Sequence, residues 1–436
     1  MDYRQLLSQW VAKQPDKVFL ITEQGSFTYK AVAELAGAYG EQLKASGVVR
    51  HSVLLVRQTP LEQLVCFLGA QEAGWVPILG HTDLSLPAAK ELAAQRQIGW
   101  IDWGGLECGA AGAPVPPAEV CMGVLSSGST GLPKVMYRTY ESWAGFFPEQ
   151  NKRFRTTNDT VAFVEGSMSF TGNLSVFAGV LFAGGSLVVA DSLYSRSWTR
   201  ALARYNVSLL YLVPVKLKLL LRSLRGEYPA MQAVMAGSQL LDGQTAGALK
   251  QHFPNSEIFL YYGASELNYI TWLTYEELLL HPMSVGRPCP GVKVTIREGT
   301  IYVDTPYHVY GLEQPCTIED QGYFDPEGYL IFLGRKGQIV NKGGLTISCA
   351  RVEQALLRVP EVLDAVVVPC RDEKRGQELG ACVVLQQGTE LGAVRKALRT
   401  YLLPGEIPGR WKQVAALPLS AVGKVDGRKI AAWFEN

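Results

Sequence analysis

Ser126-Ser127-Gly128-Ser129-Thr130-Gly131-Leu132-Pro133-Lys134 is the stretch from which the rest of this chain can be read. An apolar run, Val120 to Leu125, leads into it, with Glu119 just before. That order predicts a strand emptying into a loop of small and hydroxyl-bearing residues. Gly128 and Gly131 let the backbone curl until successive N–H groups converge, which makes an anion nest. The hydroxyls of Ser126, Ser127, Ser129 and Thr130 add donors, and Lys134 adds a mobile positive charge suited to phosphate. A flexible surface loop has the same composition, so the stretch by itself leaves both readings open. It does not follow the Walker pattern G-x-x-x-x-G-K-S/T.

The loop resembles the phosphate loop of the adenylate-forming enzymes, which comprise acyl-CoA synthetases, adenylation domains and luciferases. Their pattern, S/T-S/G-G-S/T-T-G-x-P-K, is met from Ser126 to Lys134, whereas the glycine that usually follows the lysine is Val135 here. Arg138-Thr139 and Ser142-Trp143 look like a subset of small bacterial members. The resemblance implies an α/β fold. A large N-terminal domain of α/β subdomains with a β-barrel-like segment would span 1–335, and a small α+β lid domain would span 336–436.

Working outward, the residues before the loop alternate between strand and helix patterns. Strands are expected at Val18–Thr22, 27–29, 53–56, 74–79 and 98–102, with helices at the N-terminus and at 31–46, 60–73 and 86–97. Such alternation indicates parallel βαβ units. Residues 103–117, rich in Gly, Ala and Pro, read as a loop.

After the loop, Val161–Glu165 reads as a strand, followed by Ser167-Met168-Ser169-Phe170-Thr171-Gly172-Asn173. Residues 166–190 contain no charge but five glycines, so they read as a buried helix (174–182), a turn at Gly184-Gly185 and a strand (Ser186–Ala190), not as a membrane span. In the family this neighbourhood lines the acyl pocket, which implicates Phe170 and Thr171. An ungapped comparison puts Thr171 where amino-acid-activating members carry the aspartate that holds the substrate amine. An ammonium buried there would lack a partner, so the resemblance leans toward a simple carboxylic acid; the same residues could also serve packing alone.

Further on, Pro214 opens a helix whose Lys216 and Lys218 are expected on a solvated face. Ala236-Gly237-Ser238-Gln239 follows a strand and resembles the adenine-contacting loop, although a plain turn explains it equally well. Tyr262-Gly263-Ala264-Ser265-Glu266 resembles the family's Y-G-x-S/T-E motif. The resemblance implies that Tyr262 flanks the adenine, Gly263 borders the acid pocket, Ser265 donates to the α-phosphate, and Glu266 holds Mg²⁺, a cation that prefers carboxylate and phosphate oxygens. Val292 to Ile296 and Thr300–Asp304 read as a hairpin around Glu298-Gly299. Ile318-Glu319-Asp320-Gln321-Gly322-Tyr323 matches T-G-D-x-G-Y in part, which puts Asp320 on the ribose-binding aspartate. Gly334-Arg335 resembles the family's hinge, with Arg335 reaching ribose or α-phosphate. The usual hinge side chain falls on Gly337, which can still absorb a large backbone change.

In the last 101 residues (336–436) of the 436-residue chain, Gly343-Gly344-Leu345-Thr346-Ile347 resembles the loop lining the pantetheine tunnel. Val422-Gly423-Lys424-Val425-Asp426 resembles the late G-K motif, which implies that Lys424 bridges the acyl carboxylate and the α-phosphate. Helices are expected at 352–357 and 391–401, and strands at 365–369 and 381–385.

Composition narrows the alternatives. At 436 residues and 47% apolar the chain suits two or three domains with a large core. A net charge of +1 gives no electrostatic case for nucleic acid or anionic membrane. Eight cysteines without a C-x-x-C pair and five scattered histidines argue against a zinc site or disulfide framework, and fit a reducing cytoplasm. The opening residues Met1-Asp2-Tyr3-Arg4 lack the charged-then-apolar pattern of a signal. The resemblance therefore implies a cytoplasmic ligase using ATP and Mg²⁺. Thr130, Lys134, Glu266 and Lys424 would act in forming an acyl-adenylate from a small carboxylic acid, and a thiol would then displace AMP. That thiol is coenzyme A in one reading and the phosphopantetheine of an acyl or aryl carrier protein in another. A nucleotide-binding protein with degenerate catalysis is the third, allowed by Val135, Ile318, Glu319 and Gly337.

Overall fold

The computed structural model describes residues 2–48, 50–125, 133–342, 345–372, 376–419 and 425–435. Two mixed sheets form the frame of the large domain. In the six-stranded sheet the order is Leu106–Cys108, Trp100–Asp102, Ser52–Leu55, Val76–Leu79, Val120–Leu125, Val135–Thr139, parallel in the middle and antiparallel at both edges. Leu125 pairs with Val135, so the residues that flank the phosphate-loop stretch meet at one point of this sheet. The loop residues Ser126, Ser127, Gly128, Ser129, Thr130 and Gly131 lie outside the described residues.

The nine-stranded sheet runs Arg287–Pro288, Asn268–Thr274, Glu257–Ala264, Ala233–Ala236, Leu209–Tyr211, Val161–Glu165, Ser186–Ala190, Val18–Thr22, Gly25–Thr28. Its inner strands are parallel and nearly all apolar, as expected for strands covered on both faces. One core joins the two sheets, with Phe19 and Leu187 from one and Leu55, Met122 and Val124 from the other. Helix Thr171–Ala183 is largely apolar and buried from Asn173 to Leu181, which is why its sequence carries no charge. It ends on Gly184 at φ 78°, a left-handed terminus that glycine adopts without strain. A four-stranded antiparallel sheet, Lys293–Arg297, Thr300–Asp304, Asp320–Phe324 and Leu330–Arg335, completes the large domain. Its first hairpin turns at Glu298 and Gly299, both at positive φ, as a two-residue turn of the expected kind requires.

Residues from Ile339 onward form a separate sheet-and-helix domain. Its sheet contains Leu345–Ser348, Ile339–Lys342, Gly376–Leu385 and Val362–Asp372, with Arg410–Gln413 alongside, and it has cores of its own. Helix Cys349–Leu357 carries Glu353, which accepts the Val367 N–H at 2.8 Å. Burial pushes this carboxyl up to about 7. Between the unfolded value of about 4.3 and the folded one, the folded chain binds more protons than the unfolded chain, so stability falls as pH rises through that window. Glu353→Gln is expected to flatten this fall. Its melting temperature should gain on the parent from pH 5 to pH 8, read by thermal unfolding across that range, and a constant difference would contradict the assignment.

Three expectations are corrected. The stretch 103–117 is not all loop, because Leu106–Cys108 pairs antiparallel with Trp100–Asp102 across a turn at Gly104-Gly105. The late helix stops at Ala397 and tightens into a 3₁₀ turn, Leu398–Thr400. Lys216 and Lys218 are not on a solvated face. Lys216 is buried against Glu165, and Lys218 lies between Asp242 at 3.4 Å and Asp364 at 3.1 Å.

Candidate active site

The parallel strands of the nine-stranded sheet end together at their C-terminal edge, where α/β sheets place ligands. A cavity of about 990 Å³ opens there. Glu165 and Tyr211 reach it from strand ends, Ser238 from the turn after Ala233–Ala236, and Gly263 to Glu266 from the end of Glu257–Ala264 and the turn beyond. Lys134 approaches from the other sheet, just before Val135–Thr139, and Arg335 from the end of Leu330–Arg335.

Of the side chains singled out in the sequence, Lys134, Phe170, Thr171, Ser238, Ser265, Glu266 and Arg335 line this cavity. Thr171 Oγ1 lies 2.9 Å from Ser265 Oγ, so the acid-pocket and phosphate-contact candidates meet. Gly263 stands at a register shift, where a Cβ would fall 2.4 Å from the Asn268 carbonyl. Gly237 backs onto the Tyr261 ring, and Ser238 follows at φ 68°. Tyr262 and Asp320 meet one another but do not line the cavity. The Tyr262 hydroxyl donates to Asp320 Oδ2 at 2.6 Å, and Arg335 Nε stands 3.3 Å from Oδ1. Burial raises the Asp320 carboxyl against the lowering pull of Tyr262 and Arg335. Gly343, Gly344 and Lys424 lie outside the described residues.

The turn carrying Glu266 is held by Arg138, which sequence reading noted only as part of a resemblance. Its fully buried guanidinium donates to the Ser265 carbonyl at 2.7 Å, the Tyr307 carbonyl at 3.0 Å and Ser142 Oγ at 3.2 Å. Val309 N–H donates to the Glu266 carbonyl at 2.9 Å, which ties the same segment to the turn from the other side. Burial pulls Arg138 down to about 10, while Tyr3 and Glu266 favour its charge. Two further parts of the wall were not recognised in the sequence. His81 shares a hydrogen bond of 2.8 Å with Ser169 through Nδ1, and burial lowers it toward the neutral imidazole. Its place just beyond strand Val76–Leu79 is the signal that could have found it. The Lys216–Glu165 pair forms another part of the wall; burial raises Glu165 and Lys216 opposes that shift.

The donor set sets conditions on what can bind. Among the described residues there is no group of three His, Cys, Asp or Glu side chains able to hold a metal unaided. Glu266 therefore fits a metal that brings most of its own oxygen ligands, as Mg²⁺ on a polyphosphate does. Asp320 Oδ1 is buried without a hydrogen bond, so a hydroxyl donor reaching it would complete its coordination. Among the described residues, no helix is long and apolar enough to cross a membrane.

The chain is similar to known proteins over nearly its whole length. A family model described as AMP-binding enzyme matches residues 85–304, and one described as AMP-binding enzyme C-terminal domain matches 351–424. The uncharacterized acyl–CoA ligase YhfT of Bacillus subtilis is 26% identical over 465 residues, covering 97% of this chain and 96% of that one. Enterobactin synthase component E of Escherichia coli is 27% identical over 361 residues, covering 74% and 66%. The crystal structure of ATP-bound MatB from Rhodopseudomonas palustris superposes with a TM-score of 0.84 over 100% of this chain and 99% of that one. At 22% identity, that likeness shows the fold.

Proposed function

Because this chain belongs to the AMP-binding enzyme family, within the adenylate-forming superfamily, and is an AMP-forming acid–thiol ligase, we propose that it activates a small carboxylic acid with ATP and passes the acyl group to coenzyme A. The observation that supports this most is the convergence of Lys134, Ser265, Glu266 and Arg335, from three separate stretches, on one cavity. In the first half-reaction the acid carboxylate attacks the α-phosphate, an oxygen–phosphorus bond forms, and pyrophosphate leaves. The nucleophile is already ionised, so no general base is needed and the requirement is charge compensation. Lys424, the loop from Ser126 to Lys134 with Thr130, and the Ser265 hydroxyl would supply it. Glu266 would hold Mg²⁺, which neutralises phosphate charge when bound. Gly237, Ser238, Tyr262, Asp320 and Arg335 would bind the nucleoside end, with Arg335 leaving Asp320 Oδ1 to the ribose.

In the second half-reaction a thiol attacks the acyl carbon and AMP leaves. The division at 335/336 is part of this proposal, with Gly337 in the joint and Gly343-Gly344 beside the thiol path. Rotation there would withdraw Lys424 and let one pocket serve both steps. Similarity to the enterobactin component, together with Arg138-Thr139, favours a second acceptor, a carrier protein's phosphopantetheine. Both acceptors fit a cytoplasmic enzyme.

Acid-dependent ATP–pyrophosphate exchange across fatty, aryl and amino acids tests the first step. Exchange with an acid other than an α-amino acid is expected, and adding coenzyme A or a holo carrier then decides the acceptor. Nucleotide binding without exchange by any acid would overturn the proposal in favour of a degenerate site.

A further inference from the structure

The wall of the cavity beyond Thr171 is built from hydroxyl groups. Tyr261 donates its hydroxyl to the Tyr211 oxygen at 3.0 Å, and its ring stands edge-on to Tyr269 with 4.6 Å between centroids. Ser175 lies one helical turn beyond Thr171, on the same side of helix Thr171–Ala183. Its Oγ is buried and makes no hydrogen bond among the described residues, although it lines the cavity. Tyr211 and Tyr261 line the cavity as well. Two glycines make room for these rings. A Cβ at Gly172 would stand 2.1 Å from the Tyr211 oxygen, and one at Gly237 would stand 2.3 Å from the Tyr261 ring. The space beside Gly172 and Gly237 is thus taken by tyrosine.

Such a wall suits few acids. An alkyl tail laid against it would leave the Ser175 hydroxyl unpartnered, cover the Tyr211–Tyr261 pair and offer nothing in return. Each polar group so stranded weakens binding roughly tenfold. A ligand hydroxyl can instead donate to Ser175 Oγ or to the free lone pairs of Tyr261, and can accept the remaining Tyr211 proton.

We propose that Ser175, Tyr211 and Tyr261 form the specificity wall of the acid site, and that the acid is short and carries a hydroxyl at the end remote from its carboxylate. The inference rests on the adenylation reading above and names its substrate class. It is tested by acid-dependent ATP–pyrophosphate exchange with matched pairs: benzoate against its ring-hydroxylated forms, and hexanoate against 6-hydroxyhexanoate, with dodecanoate alongside. A hydroxylated acid is expected to lead the panel and to exceed its unsubstituted partner in kcat/KM by roughly 10²-fold. Ser175→Ala and Tyr261→Phe should each lower kcat/KM for that hydroxylated acid roughly tenfold more than for its partner. A partner lacking the hydroxyl that reacts equally well, dodecanoate as the best acid, or equal loss for both members of a pair in both variants would overturn the wall while leaving adenylation standing. Silence with every acid would overturn both.

Discussion

Lys424→Ala is expected to abolish acid-dependent ATP–pyrophosphate exchange, by roughly 10³-fold or more, while thioester formation from a supplied acyl-adenylate continues within a few-fold of the parent. A lysine bridging the incoming carboxylate and the α-phosphate acts where negative charge meets negative charge, so its removal is felt mainly in the first transition state. Its neighbours in the chain provide a firm base for such a part. Leu419 and Val425 pair as an antiparallel bridge, and Asp426 caps helix Gly427–Ala432 by accepting the Lys429 N–H at 3.0 Å. Separate assays of the two half-reactions check the expectation. Equal loss in both would show that Lys424 does not act selectively in the first step, and the lid-switching scheme would fall with it.

Glu266→Gln is expected to lower exchange by roughly 10²-fold at low Mg²⁺ and to recover part of the loss as Mg²⁺ is raised. The substitution keeps the shape of the side chain and removes its charge. The turn itself should hold, because Arg138 and Val309 grip the carbonyls of Ser265 and Glu266 and leave the carboxylate uninvolved in either bond. Exchange rate as a function of free Mg²⁺, at fixed ATP and acid, is the measurement. A parallel drop at every Mg²⁺ concentration would point to packing and remove Glu266 from metal binding.

Much of the large domain can be read from its sequence because buried parallel strands announce themselves as short apolar runs between helices and turns. Val161–Glu165 and Ser186–Ala190 are such runs. The motifs around Lys134, Ser265, Glu266 and Arg335 were legible for the same reason: each sits at the start or the end of a strand. What escaped was pairing across the fold. Lys216 and Lys218, two apart on a helix, project from different sides, and each finds carboxylates from distant parts of the chain. Nothing local marks them as buried. Asp320 shows the converse. Its motif was visible, but the Tyr262 hydroxyl that occupies half of its carboxylate was not. His81 was overlooked, and Arg138 was noted only within a resemblance, because a single histidine or arginine carries no pattern; their partners Ser169, Ser265 and Tyr307 supply the meaning.

Lys218 has a consequence for how the two domains part. Its partners belong to different bodies: Asp364 to the C-terminal domain, and Asp242 to the large domain, where it also caps helix Gly243–His252 through the Thr245 N–H and hydroxyl at 2.7 Å each. A cation shared in this way is never orphaned. Were the C-terminal domain to rotate as proposed, Lys218 would keep the carboxylate that stays behind, and Asp364 would leave for water, where an ionised carboxylate is at home. The contact can therefore be undone and remade without leaving an unpaired charge in the protein interior, which makes it a joint that turns at low cost.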